Sequence, residues 1–289
     1  VGDFALFVFY LGFISDLTAQ VGLFFPRFKQ AGVAFERMDR LLQGAPPITL
    51  VKKTASYLRG PLPEVPYTPK TAADRLATFS ATNLTHLFPD SENGVRNIHL
   101  HLRRGSFTVI TGRIGAGKTT LLRTLLGLLP KDAGEIRWNN QLVSNPAEFL
   151  VPPRVAYTAQ IPALFSDSLR DNILLGLPET QVDLDYAIHA AVLEQDLLQL
   201  DHGLDTIVGP RGVKLSGGQK QRSAAARMFV RQPELLVFDD LSSALDVETE
   251  RKLWERLFER HDATCLVVSH RRAALRRADH IIVIKDGAM

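Results

Sequence analysis

The chain has 289 residues, 45% of them hydrophobic, with 34 Lys and Arg against 31 Asp and Glu for a formal charge of +3. The length and apolar content allow one large domain with a proper core, or a domain plus an appendage. The charge excess is too small to imply a nucleic-acid partner, and the lone Cys265 excludes a disulfide framework and is compatible with a reducing compartment.

Phe4 to Phe25 is an apolar run, interrupted by Asp16 and by Ser15, Thr18 and Gln20, and it is long enough to cross a bilayer as a helix. It lacks the cationic start and small-residue cleavage site of a signal peptide. Arg27, Lys29, Arg37 and Arg40 follow it, which places its C-terminal end in the cytoplasm. The alternative is a buried helix of a soluble protein. Asp3 and Asp16 either line a cavity or sit at an interface or helix end. Beyond Pro26, Phe28, Ala31, Phe35, Met38 and Leu42 recur at helical spacing along one narrow seam, so residues 1–42 read as a membrane helix with a cytoplasmic extension.

Residues 43–74 change character, with Pro46, Pro47, Pro61, Pro63, Pro66 and Pro69 interrupting any periodicity; they read as a linker. A globular domain follows over 75–289. Leu76 to Leu84 and Asn97 to Leu102 read as strands, with His99 and His101 on the solvated face of the second. Phe107 to Thr111 is a β-branched run leading into Gly112-Arg113-Ile114-Gly115-Ala116-Gly117-Lys118-Thr119, and Thr120 to Leu126 then has helical leucine spacing. In this strand, loop and helix context the G-x-x-x-x-G-K-[ST] pattern is a phosphate-binding loop. Its backbone N–H groups and the helix N-terminus face an anion. Lys118 reaches the β- and γ-phosphates, and the Thr119 hydroxyl holds Mg²⁺.

Gly134 to Trp138 and Arg154 to Thr158 read as further strands, with Gln160 directly after the second; residues about 165–230 carry a largely helical pattern. Leu215-Ser216-Gly217-Gly218-Gln219 opens a helix and offers a second anion-binding N-terminus. Leu235 to Asp239 is a buried-strand run ending in a carboxylate, which in an open parallel sheet faces the same crevice as the phosphate loop; Asp239 there suits Mg²⁺ held through water. A helix from Val247 to Arg260 and a strand from Thr264 to Val268 follow. His270, at that strand's end, is either structural or a γ-phosphate contact. Arg271, Arg272, Arg276 and Arg277 read as a solvated helix face, and the last strand, His280 to Ile284, precedes an Asp286-Gly287 turn.

These residues closely resemble the ATP-binding cassette proteins. Gly112 to Thr119 matches the Walker A motif, Gln160 the Q-loop, Leu215 to Gln219 the signature, Leu235 to Asp239 Walker B, Ser243 to Asp246 the D-loop and His270 the switch histidine, while Phe88 stands where the family stacks adenine. The resemblance implies an α/β P-loop NTPase cassette with a mixed sheet, an antiparallel β subdomain and a helical insertion, preceded by one long transmembrane and stalk helix. It implies ATP and Mg²⁺ as cofactors. Phe88, the loop Gly112 to Thr119 with Thr120, and Ser216 to Gln219 would bind nucleotide; Thr119, Gln160 and Asp239 would hold the metal; Asp240, His270 and Gln160 would serve catalysis.

Leu164-Phe165-Ser166, Asp171-Asn172-Ile173 and Thr206 to Gly209 are similar to exporters whose membrane and ATPase domains share one chain. By that likeness the sequence is a half-transporter fragment, beginning at the last transmembrane helix of a multi-pass plasma-membrane protein, with its cassette in the cytoplasm. In that family two cassettes meet head to tail, so Ser216 to Gln219 would serve the nucleotide of a second half-transporter. Asp240 replaces the usual Walker B glutamate, Leu241-Ser242 the usual proline and threonine, and Pro210-Arg211 an expected glutamate. The shorter carboxylate implies a slow site of its own beside an intact signature, as in heterodimeric exporters; an active homodimer is the alternative. A soluble cassette ATPase of DNA repair or translation would need no membrane helix. The transported substrate is not legible.

Overall fold

The computed structural model describes residues 2–42, 44–53, 69–259 and 263–289, and the chain divides into two compact units at 63/64. The N-terminal unit is dominated by helix α1 (Gly2–Leu41), which runs unbroken through Pro26. It is long and apolar enough to cross a membrane, and none of its residues is buried within the chain. Asp3 lies in its first turn and Arg40 in its last, each on the favourable side of the helix dipole. A short 3₁₀ turn, Pro47–Leu50, follows. Val1, Gln43 and 54–68, the last including three of the linker prolines, lie outside the described residues.

The second unit is built on two sheets. An antiparallel sheet takes β1 (Thr78–Leu87), β2 (Gly94–Arg103), β4 (Ala133–Trp138) and β5 (Gln141–Leu142) in the order β2-β1-β4-β5. A parallel sheet takes β3 (Phe107–Thr111), β6 (Val155–Thr158), β7 (Leu235–Asp239), β8 (Thr264–Val268) and β9 (His280–Val283) in the order β6-β7-β8-β3-β9. The expected mixture of strand directions is thus divided between two sheets. The helices are α2 (Lys118–Leu125), α3 (Pro146–Phe149), α4 (Leu169–Leu174), α5 (Leu184–Ala190), α6 (Glu194–Gln199), α7 (Gly217–Phe229), α8 (Val247–Phe258) and α9 (Arg272–Arg277).

Strands β7 and β8 are buried along their whole length, which is why they read as continuous apolar runs. Their side chains alternate between two cores. Leu236, Phe238, Cys265 and Val267 face the core with α4, α5, α7 and α8, whereas Leu235, Val237, Leu266 and Val268 face the one with α2 and the antiparallel sheet. In the first core Trp254 meets Phe107 and Phe238 edge to face, with centroids 5.2 and 5.5 Å apart, pairs worth about 1 kcal/mol each beyond their burial. Burial also pushes the Cys265 thiol far up, so it behaves as an inert core residue.

The last residues of the expected linker stretch carry two ion pairs within the second unit: Lys70 pairs with Glu234 at 2.6 Å and buried Asp74 with Arg154 at 2.7 Å. Nearly buried carboxylates need cationic partners, and those partners lie far along the chain. The C-terminal arginines are not all solvated. Arg271 donates to Leu245 O over 2.8 Å and approaches Glu250 at 3.3 Å, and the Arg277 guanidinium lies 4.1 Å from the Phe258 ring centroid. Packing of α9 against α8 brings these groups together.

Candidate functional site

In the parallel sheet the carboxyl ends of β3, β6, β7 and β8 open on one edge, the general ligand side of such sheets. Gly112 follows β3, Gln160 lies just past β6, Asp239 and Asp240 end β7, and His270 follows β8. Backbone bonds lock these ends together: Asp240 N donates to Val268 O at 3.1 Å, and Ser269 N to Ile110 O at 3.1 Å. Between them lies a crevice of ≈ 650 Å³, within the range of small-molecule sites.

The loop Gly112 to Thr119 wraps one wall. At Gly112, φ is +147° and a Cβ would lie 2.2 Å from Ile284 O, so only glycine lets β9 approach the loop. Gly117, at φ +101°, starts α2 in the left-handed region that glycine favours. Lys118 Nζ donates to Gly112 O at 2.9 Å and Arg113 O at 2.8 Å. Its charge is therefore held over the loop, on the protein's own carbonyls, where phosphate oxygens would compete for it.

Thr119 Oγ1 donates to Asp239 Oδ1 at 3.1 Å, and the Tyr157 hydroxyl lies 3.4 Å from Oδ2. Burial raises Asp239 above the usual carboxylate range, against the lowering effect of those two bonds. Burial, then the charge of Asp239, raises Tyr157. Thr119 and Asp239 offer hard oxygen donors side by side, the donor set that suits Mg²⁺.

Asp240 has a left-handed backbone, φ +54°. Its Oδ2 accepts from Gln160 Nε2 at 3.3 Å, while Oδ1 is buried without a partner among the described residues. Burial raises its carboxyl, and the charge of His270 is the largest opposing influence.

Of the residues singled out by sequence, Phe88, Ile114, Gly115, Gly117, Lys118, Thr119, Thr120, Gln160, Asp239, Asp240 and His270 line the crevice. Gly112 and Ala116 support it from behind, Ala116 O accepting from Gly287 N at 3.1 Å, and Arg113 supplies a carbonyl to Lys118. Sequence reasoning missed Glu92, Asn93, Gly94, Arg96, Val268, Asp286 and Gly287 as lining residues, and these complete the wall. The Asn93-Gly94 and Asp286-Gly287 pairs are turn signals. Their convergence is tertiary: Arg96 N donates to Gly287 O at 2.8 Å, and a Cβ on Gly287 would lie 2.4 Å from Gly94 O.

Ser216 to Gln219 do not line this crevice. Ser216 caps α7: its Oγ accepts from Gln219 N at 3.2 Å and its N–H donates to Gln219 Oε1 at 2.9 Å, a reciprocal capping box. Gln219 Nε2 lies 3.3 Å from Asp196 Oδ1, which Arg222 also binds at 2.8 Å. The glutamine is thus engaged within its own chain, while Ser216 and Gly217 are exposed.

Residues 95–243 match the ABC transporter family model. The chain belongs to the ABC transporter family. It is 32% identical over its whole length to a probable multidrug resistance ABC transporter ATP-binding/permease protein, YheI, of Bacillus subtilis, covering 47% of that relative. It is 34% identical over 69% of the chain to an ATP-dependent lipid A-core flippase of Pectobacterium atrosepticum, covering 35% of it. A solved bacterial Atm1-family ABC exporter with ATP bound superposes with a TM-score of 0.70 at 27% identity, covering 86% of this chain and 43% of that one. The ABC chain here spans between a third and a half of the length of the curated relatives it matches.

Proposed function

We propose that this chain is the ATP-binding part of an ABC exporter half-transporter, with residues 1–42 as the last membrane helix and its cytoplasmic extension, 43–74 as a linker and 75–289 as the cassette. ATP binds in the crevice, its adenine against Phe88 and its phosphates under Gly112 to Thr120. Binding drives head-to-tail docking with the cassette of a second half-transporter, and this movement exports a substrate across the plasma membrane from the cytoplasmic side. The apolar, unburied α1 and the matches to exporters favour this over a soluble cassette. The relatives' names range from multidrug resistance to lipid A-core flipping, so no substrate class is assigned.

Each residue has a task in this reading. Lys118 exchanges loop carbonyls for phosphate oxygens. Thr119 and Asp239 hold Mg²⁺, with Gln160 beside them; when bound, the ion neutralises charge on the phosphates. Asp240 is the base for the attacking water and His270 faces the γ-phosphate.

The observation that carries the finer reading is Asp240. Its carboxylate is short, buried and engaged by Gln160, and a base one methylene out of place loses about a hundredfold in rate. The chain's own site is therefore slow, and the exposed Ser216 and Gly217 complete an active site on the partner, the capping serine keeping its hydroxyl proton free to donate. An active homodimer is the second reading, favoured by His270 being retained at the crevice. ATP turnover of the full-length protein separates the two: a fast wild-type homodimer with no gain from Asp240→Glu overturns the slow-site reading, whereas a slow wild type accelerated by Asp240→Glu supports it.

A further inference from the structure

Asp239 is held from two directions, and only one of them belongs to the phosphate loop. Thr119 donates to Oδ1. On the other oxygen, Tyr157 brings its hydroxyl to 3.4 Å from β6, and the positive charge of Arg123, on α2, acts on both the phenol and the carboxylate. The register Tyr157↔Val237 sets the tyrosine two residues back from Asp239 along the neighbouring strand, so a long side chain is needed to span the gap.

The chemistry of these groups fixes the direction of the hydrogen bonds. A guanidinium only donates, and an ionised carboxylate only accepts. The single proton of the phenol is therefore the one given to Asp239. Thr119 has two demands on its hydroxyl, a lone pair toward the metal and a proton toward Asp239. Tyr157 has only the second. Asp239 is 1% exposed, so water is a poor substitute for a lost donor.

We propose that Tyr157 is a positioning residue for Asp239, fixing the carboxylate in the orientation that holds a divalent cation beside the nucleotide. The inference rests on the nucleotide-site reading above. It reaches beyond the loop motifs, because neither Tyr157 nor Arg123 lines the crevice. Removing a group that orients a metal ligand weakens metal affinity by about tenfold or more.

The test uses the 289-residue chain in detergent micelles, as wild type and Tyr157→Phe. Three quantities are measured: ADP affinity in EDTA, Mn²⁺ affinity at saturating ADP by electron paramagnetic resonance, and the thermal midpoint in EDTA. Tyr157→Phe is expected to weaken Mn²⁺ about tenfold, with metal-free ADP affinity and midpoint as in wild type. A wild type whose ADP affinity ignores Mn²⁺ overturns the nucleotide-site reading itself. Metal-dependent binding in wild type with undiminished Mn²⁺ affinity in Tyr157→Phe overturns the positioning role alone. An equal loss in metal-free ADP affinity, or a lowered midpoint, also overturns it, because that marks a general structural role.

Discussion

Gln160 Nε2 donates to Asp240 Oδ2 over 3.3 Å, joining the end of β6 to the end of β7, while Asp240 Oδ1 stays buried with no partner among the described residues. The glutamine thus satisfies half of a carboxylate whose other half the fold leaves unmet.

That imbalance predicts a pH-dependent cost. Because burial raises the folded-state value of Asp240 above that of an ordinary carboxylate, the folded chain holds the proton more tightly than the unfolded chain, and ionisation works against folding. The penalty is complete above the raised value and disappears as pH falls to the unfolded one. Asp240→Asn should therefore raise stability by about 1 kcal/mol at pH 7, and thermal melts should show the gain vanishing toward pH 4.

Lys118→Met removes the ammonium that now rests on Gly112 O and Arg113 O. Charge-assisted bonds to phosphate are worth about 2 kcal/mol, or thirtyfold in affinity. Titration calorimetry with ATP should show at least that loss, with the fold retained.

His86 is a buried ring whose Nδ1 and Nε2 both lack a partner among the described residues, with its centroid 5.0 Å from that of Phe88. Replacing it by an apolar ring of similar shape removes two unmet polar atoms. His86→Phe should stabilise the cassette by about 1 kcal/mol in chemical denaturation; a loss of stability would show that the imidazole has an unrecognised partner.

Asp196→Ala leaves Arg222 without the carboxylate it binds at 2.7 Å, at a site where both side chains are nearly buried. Breaking such a pair costs about 3 kcal/mol. Urea unfolding should show the loss, and Asp196→Asn, which keeps an acceptor for Gln219 and Arg222, should recover part of it.

Much of the site was legible because its motifs are local. A glycine-rich loop between a β-branched strand and a leucine-spaced helix, and a serine three residues before glutamine at a helix start, each state their geometry within a few residues. The buried strands were equally plain, since a strand covered on both faces must be apolar throughout. Arg271 and Arg277 were misread because a cation's partners on another helix leave no mark near it in sequence.

The sequence by itself determined that this chain carries a phosphate-binding loop, a second anion-ready helix start and a membrane-length helix, because spacing and composition over short windows encode them. Tertiary structure alone decided which carboxylate oxygens are satisfied, that Tyr157 stands behind Asp239, and that the Gly94 and Gly287 turns close one crevice. Those relationships are distances between strands and loops far apart in the chain, set by sheet order and by packing of the two cores. No local pattern of residues contains them.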